Sequence, residues 1–155
     1  MLDEISFKIL KILQAKARIP NVDVAREVGM APSAVRERIL KLEKQGYIDG
    51  YEVRLNPERF GKSLVAFIVI TTTSTDIAPQ VAHELEQIPE IQEIHFITGE
   101  DALLVKVRTA HTRELDRLVR EQISTIAGVR ATHTRIALNT FKETARIPIA
   151  ADSGE

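Results

Sequence analysis

Three cations, Arg36, Arg38 and Lys41, crowd the stretch "GMAPSAVRERILKLEKQGYI", residues 29 to 48. Side chains of this kind neutralise nucleic-acid phosphates, while short polar neighbours such as Ser33 can reach base edges. Other chemistries are poorly supplied. The chain has no cysteine, which excludes disulfides and thiolate zinc sites, and His83, His95, His111 and His133 are scattered without metal-ligand spacing. G-x-S-x-G, P-loop and Rossmann glycine patterns are missing. The expectation is a protein that is not an enzyme and needs no metal and no cofactor.

A basic row becomes a binding surface only if the elements around it turn it outward. From Asp3 to about Lys16, Ile5, Ile9, Ile12 and Leu13 fall on one helical face. A second helix is expected over about Asn21 to Val28, with Val24, Ala25 and Val28 inward and Gly29 ending it in the left-handed conformation. Pro32 suits the first turn of a third helix, which runs to about Gln45 with Val35, Ile39 and Leu42 inward. The outward residues that follow Pro32 are then Ser33, Ala34, Arg36, Glu37, Arg38 and Lys41. Beyond Gly46, "YIDGYEVRLNP" reads as a small hairpin turning at Asp49-Gly50. Three helices and a hairpin make a winged helix-turn-helix, whose second turn-helix enters a major groove of double-stranded DNA.

The rhythm changes after the polar stretch 56 to 62, where the domain boundary is placed: a DNA-binding domain over 1–56, a second domain over 57–148 and a loose tail over 149–155. "LVAFIVITTT" (64 to 73) reads as a strand, and Asp76 is expected to cap a helix with Ile77, Val81, Leu85 and Ile88 inward. Strands follow at 91 to 99 and 102 to 109. Thr112 is expected to cap a helix that buries Leu115, Leu118, Val119, Ile123 and Ile126, before a final strand over 128 to 141. The order β-α-β-β-α-β is ferredoxin-like, so the whole chain is α+β. In strand 64 to 70, Leu64, Ala66, Ile68 and Ile70 fill one face and Val65, Phe67 and Val69 the other. The helices cover one face of such a sheet, so an apolar second face points to packing on a second copy, a homodimer. Either Phe67 or Ile68 is the interface residue, whichever face is free.

Charge agrees with a divided molecule. Residues 1 to 56 carry 10 Lys and Arg against 8 Asp and Glu, and the rest carry 11 against 14. Placement rather than net charge must therefore carry DNA binding. The longest apolar run, Leu64 to Ile70, is far short of a membrane span, and "MLDEISFK" lacks the layout of a signal peptide. A cytoplasmic protein without membrane partners is expected.

From "LDEISFKILKILQAKARIPNVDVAREVGMAPSAVRERILKLEKQGYIDGY" through "FITGEDALLVKV" to "GVRATHTRIAL" and "KETARIPI", the sequence resembles the leucine-responsive regulatory protein (Lrp/AsnC, feast/famine) family over roughly residues 2 to 148. The resemblance implies a winged helix-turn-helix joined by a hinge strand to a ferredoxin-like effector domain. It also implies transcriptional regulation responsive to a small amino acid, and dimers that assemble further, often to octamers. Two departures stand out. Ala31 and Pro20 occupy positions where relatives often carry a capping serine or threonine, each lost cap costing about 1 kcal/mol, and Ala102 stands where the family's turn carries an acid.

That turn, with the strand near it, is where the resemblance places effector binding. An amino-acid ligand needs an acceptor for its ammonium and donors for its carboxylate. Glu100 and Asp101 could supply the first and the amides around Gly99 part of the second. Thr132 and Thr134, on one strand face, would add hydroxyls beside Ala102. Restoring an acid at 102 is expected to strengthen the site. On the residues alone, Gly99-Glu100-Asp101 reads as a plain hairpin turn and the threonines as plain strand formers. His95 either edges this pocket or is an ordinary interface histidine. The alternative function is a DNA-architectural protein of the same fold that senses no ligand.

Overall fold

A computed structural model describes residues 2–99 and 102–150, and divides the chain into two compact units: 1–54 with 143–155, and 55–142. Residues 143–148, read from the sequence as the end of the second domain, pack with the first unit in space.

In the first unit, α1 (Glu4–Ala15) starts where the Asp3 carboxylate accepts the Ser6 N–H at 2.8 Å. Helix α2 (Asn21–Val28) ends at Gly29, whose φ of 69° is the left-handed conformation expected there. Helix α3 (Pro32–Lys44) has Pro32 in its first turn and ends before Gly46, at φ 75°. Neither Pro20 nor Ala31 supplies a side-chain cap. Ile9, Leu13, Val24, Ala25, Val35, Ile39 and Leu42 form one buried core, so every residue assigned to the inner stripe of α3 is inside.

The expected hairpin does not form. Residues 48 to 56 carry no strand, and Gly50 is not among the glycines with positive φ, which a two-residue hairpin turn at Asp49-Gly50 would need. The Tyr51 hydroxyl instead donates to the Glu43 carboxylate of α3 at 2.8 Å, holding the segment along the helix. Val53 and Leu55 beyond it are exposed.

The first unit is completed by residues from the chain's other end. The Gln14 amide donates to the Ile147 carbonyl and accepts the Ile147 N–H, both at 2.9 Å. Arg146 donates to the Ala15 carbonyl at 3.1 Å, a cation on the negative end of α1. Arg146 and Ile147 thereby fasten this segment, just before the tail expected over 149–155, to the end of α1.

The second unit has strands β1 (Leu64–Thr72), β2 (Ile91–Ile97), β3 (Ala102–Thr109) and β4 (Val129–Ile136) in the antiparallel order β2-β3-β1-β4. Helix α4 (Ala78–Leu85) follows β1, and α5 (Thr112–Arg117) continues into a π-helical turn over Leu118–Ile123. This is the ferredoxin-like arrangement. Two caps differ from expectation. Asp76 lies inside a 3-10 turn over Thr75–Ile77, so α4 begins without a side-chain cap, and α5 is capped by His111, whose Nδ1 accepts the Glu114 N–H. Strand β4 stops at Ile136, short of 141.

Alternation sorts the sheet into two faces. Ala66, Ile68 and Ile70 join Leu103, Val105 and Val107 against Val81, Leu85, Leu115, Leu118 and Ile123 in the core. The opposite face carries Val65, Phe67 and Val69, opposite Arg108, Lys106 and Leu104 on β3, with Arg135 and His133 facing Phe67 and Val69 from β4. Phe67 is therefore the residue on the free face, and Ile68 is fully buried under the helices.

Candidate DNA-binding surface and effector site

Helix α3 sits where the turn at Gly29 to Ala31 throws it, and its inner stripe fixes which residues look outward. Pro32, Ser33, Arg36, Glu37 and Lys41 are exposed, while Ala34 and Arg38 are half-buried. The outward stripe also includes Leu40, 52% exposed, and exposed Lys44. Sequence reasoning missed both, although Ser33, Glu37, Leu40 and Lys44 keep the spacing of one helical face. Arg36 edges a cleft of about 270 Å³ with Leu13, Leu40, Glu43 and Tyr51. On the other flank a cleft of about 430 Å³ is lined by Asp3, Ser6, Glu37, Arg38, Lys41 and Tyr47, among others. Because Ala31 offers no side-chain oxygen, the N–H groups of Ser33 and Ala34 in the first turn face outward without a capping acceptor.

The electrostatics set Arg38 apart from the other cations of α3. Arg38 is engaged by Asp3, its Nη1 lying 2.6 Å from Oδ2, so the residue expected to hold a phosphate has an occupied side chain. Arg38 and the Ser6 groups together hold the Asp3 carboxyl well below its ordinary range. Burial, with the bond to Glu43, pushes the Tyr51 phenol up to about 12, so it stays a donor at any physiological pH.

In the second unit the described effector residues lie on different elements of the sheet. Gly99, at φ 101°, turns the chain after β2, and Glu100 and Asp101 lie outside the described residues. Ala102 opens β3 and is fully buried. Thr132 and Thr134 pair with Ile70 and Ile68 on β4, the edge strand opposite β2, so β1 separates them from β3, where the turn ends. An acid at 102 would start from a backbone position that is itself buried, so it needs a partner such as the ligand's ammonium. His95 belongs to the free sheet face. Its Nε2 is 3.3 Å from Glu93, and Glu93 also pairs with Lys106 at 3.1 Å. Lys106, with a further contribution from His95, keeps the Glu93 carboxyl below its ordinary value. Among the described residues no group of three or more acidic or histidine side chains could hold a metal, and no helix is long and apolar enough to cross a membrane.

Comparison with known proteins matches both units to described domains. Residues 2–49 match the winged helix-turn-helix DNA-binding family, and residues 65–147 match the Lrp/AsnC ligand binding domain. The chain is 39% identical over 148 residues to the HTH-type transcriptional regulator FL11 of Pyrococcus horikoshii, covering 96% of this chain and 97% of that protein. It is 34% identical over 150 residues to the leucine-responsive regulatory protein of Escherichia coli K12, covering 96% and 92%. Among solved structures, a transcriptional regulator from Neisseria meningitidis in complex with L-methionine superposes with a TM-score of 0.90 at 27% identity, covering 96% of this chain and 97% of that one. These relatives are regulators of transcription. The chain belongs to the Lrp/AsnC family: it is a transcriptional regulator with a helix-turn-helix that binds DNA and a domain that binds an amino-acid effector.

Proposed function

We propose that α3 enters the major groove with Pro32, Ser33 and Ala34 near base edges, Glu37 facing the groove and Arg36 and Lys41 on phosphates. The observation that carries this reading is the outward cationic stripe of α3 on an intact helix-turn-helix, which Lys44 extends. Two such helices act together because the chain dimerises through the free sheet face around Phe67, and dimers assemble further, as an octamer in the fullest form. In that assembly Gly99, Glu100, Asp101 and Ala102 of one chain meet Thr132 and Thr134 of another, closing an effector pocket that a single chain leaves open. The Neisseria complex makes L-methionine the first ligand to try. The protein carries out no catalysis and works in the cytoplasm, beside the DNA it regulates.

Thermal denaturation of the full chain with a panel of amino acids, L-methionine included, tests the sensing half. A ligand at about a hundred times its Kd stabilises the native state by about 2.7 kcal/mol, a readily measured rise in Tm. No shift with any amino acid would leave the architectural reading, DNA binding without a sensed ligand, in its place.

A further inference from the structure

Arg38 differs from every other cation on α3 in what it holds. Its Nη1 donates to both oxygens of Asp3, at 2.8 and 2.6 Å, and to the Ser6 hydroxyl at 3.1 Å. Asp3 uses the same carboxylate to cap α1 through the Ser6 N–H. One acid therefore starts α1 and receives the arginine of α3. The remaining packing of α1 and α3, through Ile9, Leu13, Val35, Ile39 and Leu42, is apolar. Apolar contact is not directional and tolerates a roll or slide of one helix on the other, whereas a charge-assisted bond to a fixed carboxylate does not. Arg38 also sits on the flank of α3, beside the stripe of Ser33, Glu37, Leu40 and Lys44 rather than on it, with a side chain only 30% exposed.

We propose that Arg38 is a positioning residue for DNA recognition. Through Asp3 and Ser6 it sets the roll of α3 on α1, so that Arg36 and Lys41 meet their phosphates together, and it makes no phosphate contact itself. The proposal rests on the reading that α3 enters the groove.

The test uses the full chain, a labelled mixed-sequence duplex and fluorescence anisotropy over a range of salt. Asp3→Asn separates the two uses of the acid, since asparagine caps a helix as well as aspartate does but brings no charge to Arg38. Asp3→Asn and Arg38→Ala are each expected to weaken binding by a similar factor, roughly three- to tenfold, and the double variant to bind no worse than Arg38→Ala. Because the variants reach the same bound contacts only after a costlier roll of α3, the salt slope should stay at its wild-type value in all three, while Arg36→Ala lowers it by about one. A slope lowered by about one in Arg38→Ala, additive losses in the double variant, or wild-type binding by Asp3→Asn would each overturn the proposal. If Arg38→Ala does not fold, affinity and slope in Asp3→Asn alone decide it. An unchanged slope in Arg36→Ala would count separately against the placement of α3 in the groove.

Discussion

The carboxylate of Asp3 concentrates more chemistry than any other single group of the first unit, and pH exposes it. Its pKa lies well below the ordinary 3.8, first because of the Arg38 hydrogen bonds and then because of Ser6. A depressed pKa stabilises the folded chain above the ordinary value, and that stabilisation is lost as falling pH protonates the unfolded chain first. The Tm of the wild type should therefore exceed that of Asp3→Asn at pH 7, with the gap closing from about pH 4 downward. Asp3 is about half exposed, so solvent screening keeps the gap on the order of 1 to 3 °C. A gap that grows on acidification would show that the pair does not stabilise the fold. The same residue marks a limit of sequence reading. Spacing placed Arg38 among the outward residues, and only the packing of α1 against α3 brings Asp3, 35 positions away, within reach.

At the scale of elements, periodicity placed the five helices and four strands because each buries one stripe or face. It failed where structure depends on something other than burial. The segment after α3 alternates as a strand should, yet Tyr51 finds Glu43 and no second strand stands opposite Val53. The cap of α5 is a histidine nitrogen, outside the usual capping set of Ser, Thr, Asp and Asn. The effector residues were grouped by resemblance, and strand order sets β4 on the opposite edge of the sheet from β2. Gly128 shows the reverse, a constraint invisible in sequence and plain in structure. It enters β4 at φ 96°, and a β-carbon there would stand 2.8 Å from Ile77 Cδ1 and 3.1 Å from its Cγ1. Gly128→Ala combines a disfavoured backbone with this crowding and should cost about 1 to 3 kcal/mol, seen as a lower denaturation midpoint. An unchanged midpoint would mean that Ile77 yields freely.

For the molecule as a whole, the free sheet face is where the proposed dimer forms, and charge sign matters on it. Phe67 stands between Lys106 on β3 and Arg135 on β4, so an acid there would find partners while a base would not. Phe67→Lys should therefore dissociate the proposed dimer, an unpaired interfacial charge costing on the order of 3 kcal/mol, roughly a hundredfold in dimer Kd. Sedimentation velocity reads the change, and a variant that sediments like the wild type would move the interface elsewhere.

The clasp between Gln14 and Ile147 spans 133 positions, which makes the first unit discontinuous and gives its synthesis an order. The three helices emerge from the ribosome early and can pack on contacts close in sequence. The residues that grip the end of α1 emerge only after the whole of the second unit. Closing a loop of this length in a flexible chain carries an entropy cost that grows with the logarithm of its length. Folding of 55–142 beforehand removes most of that freedom. The clasp therefore closes only after the second unit has been made, and a protease that cuts between residues 142 and 146 would open it while leaving the buried cores of both units whole.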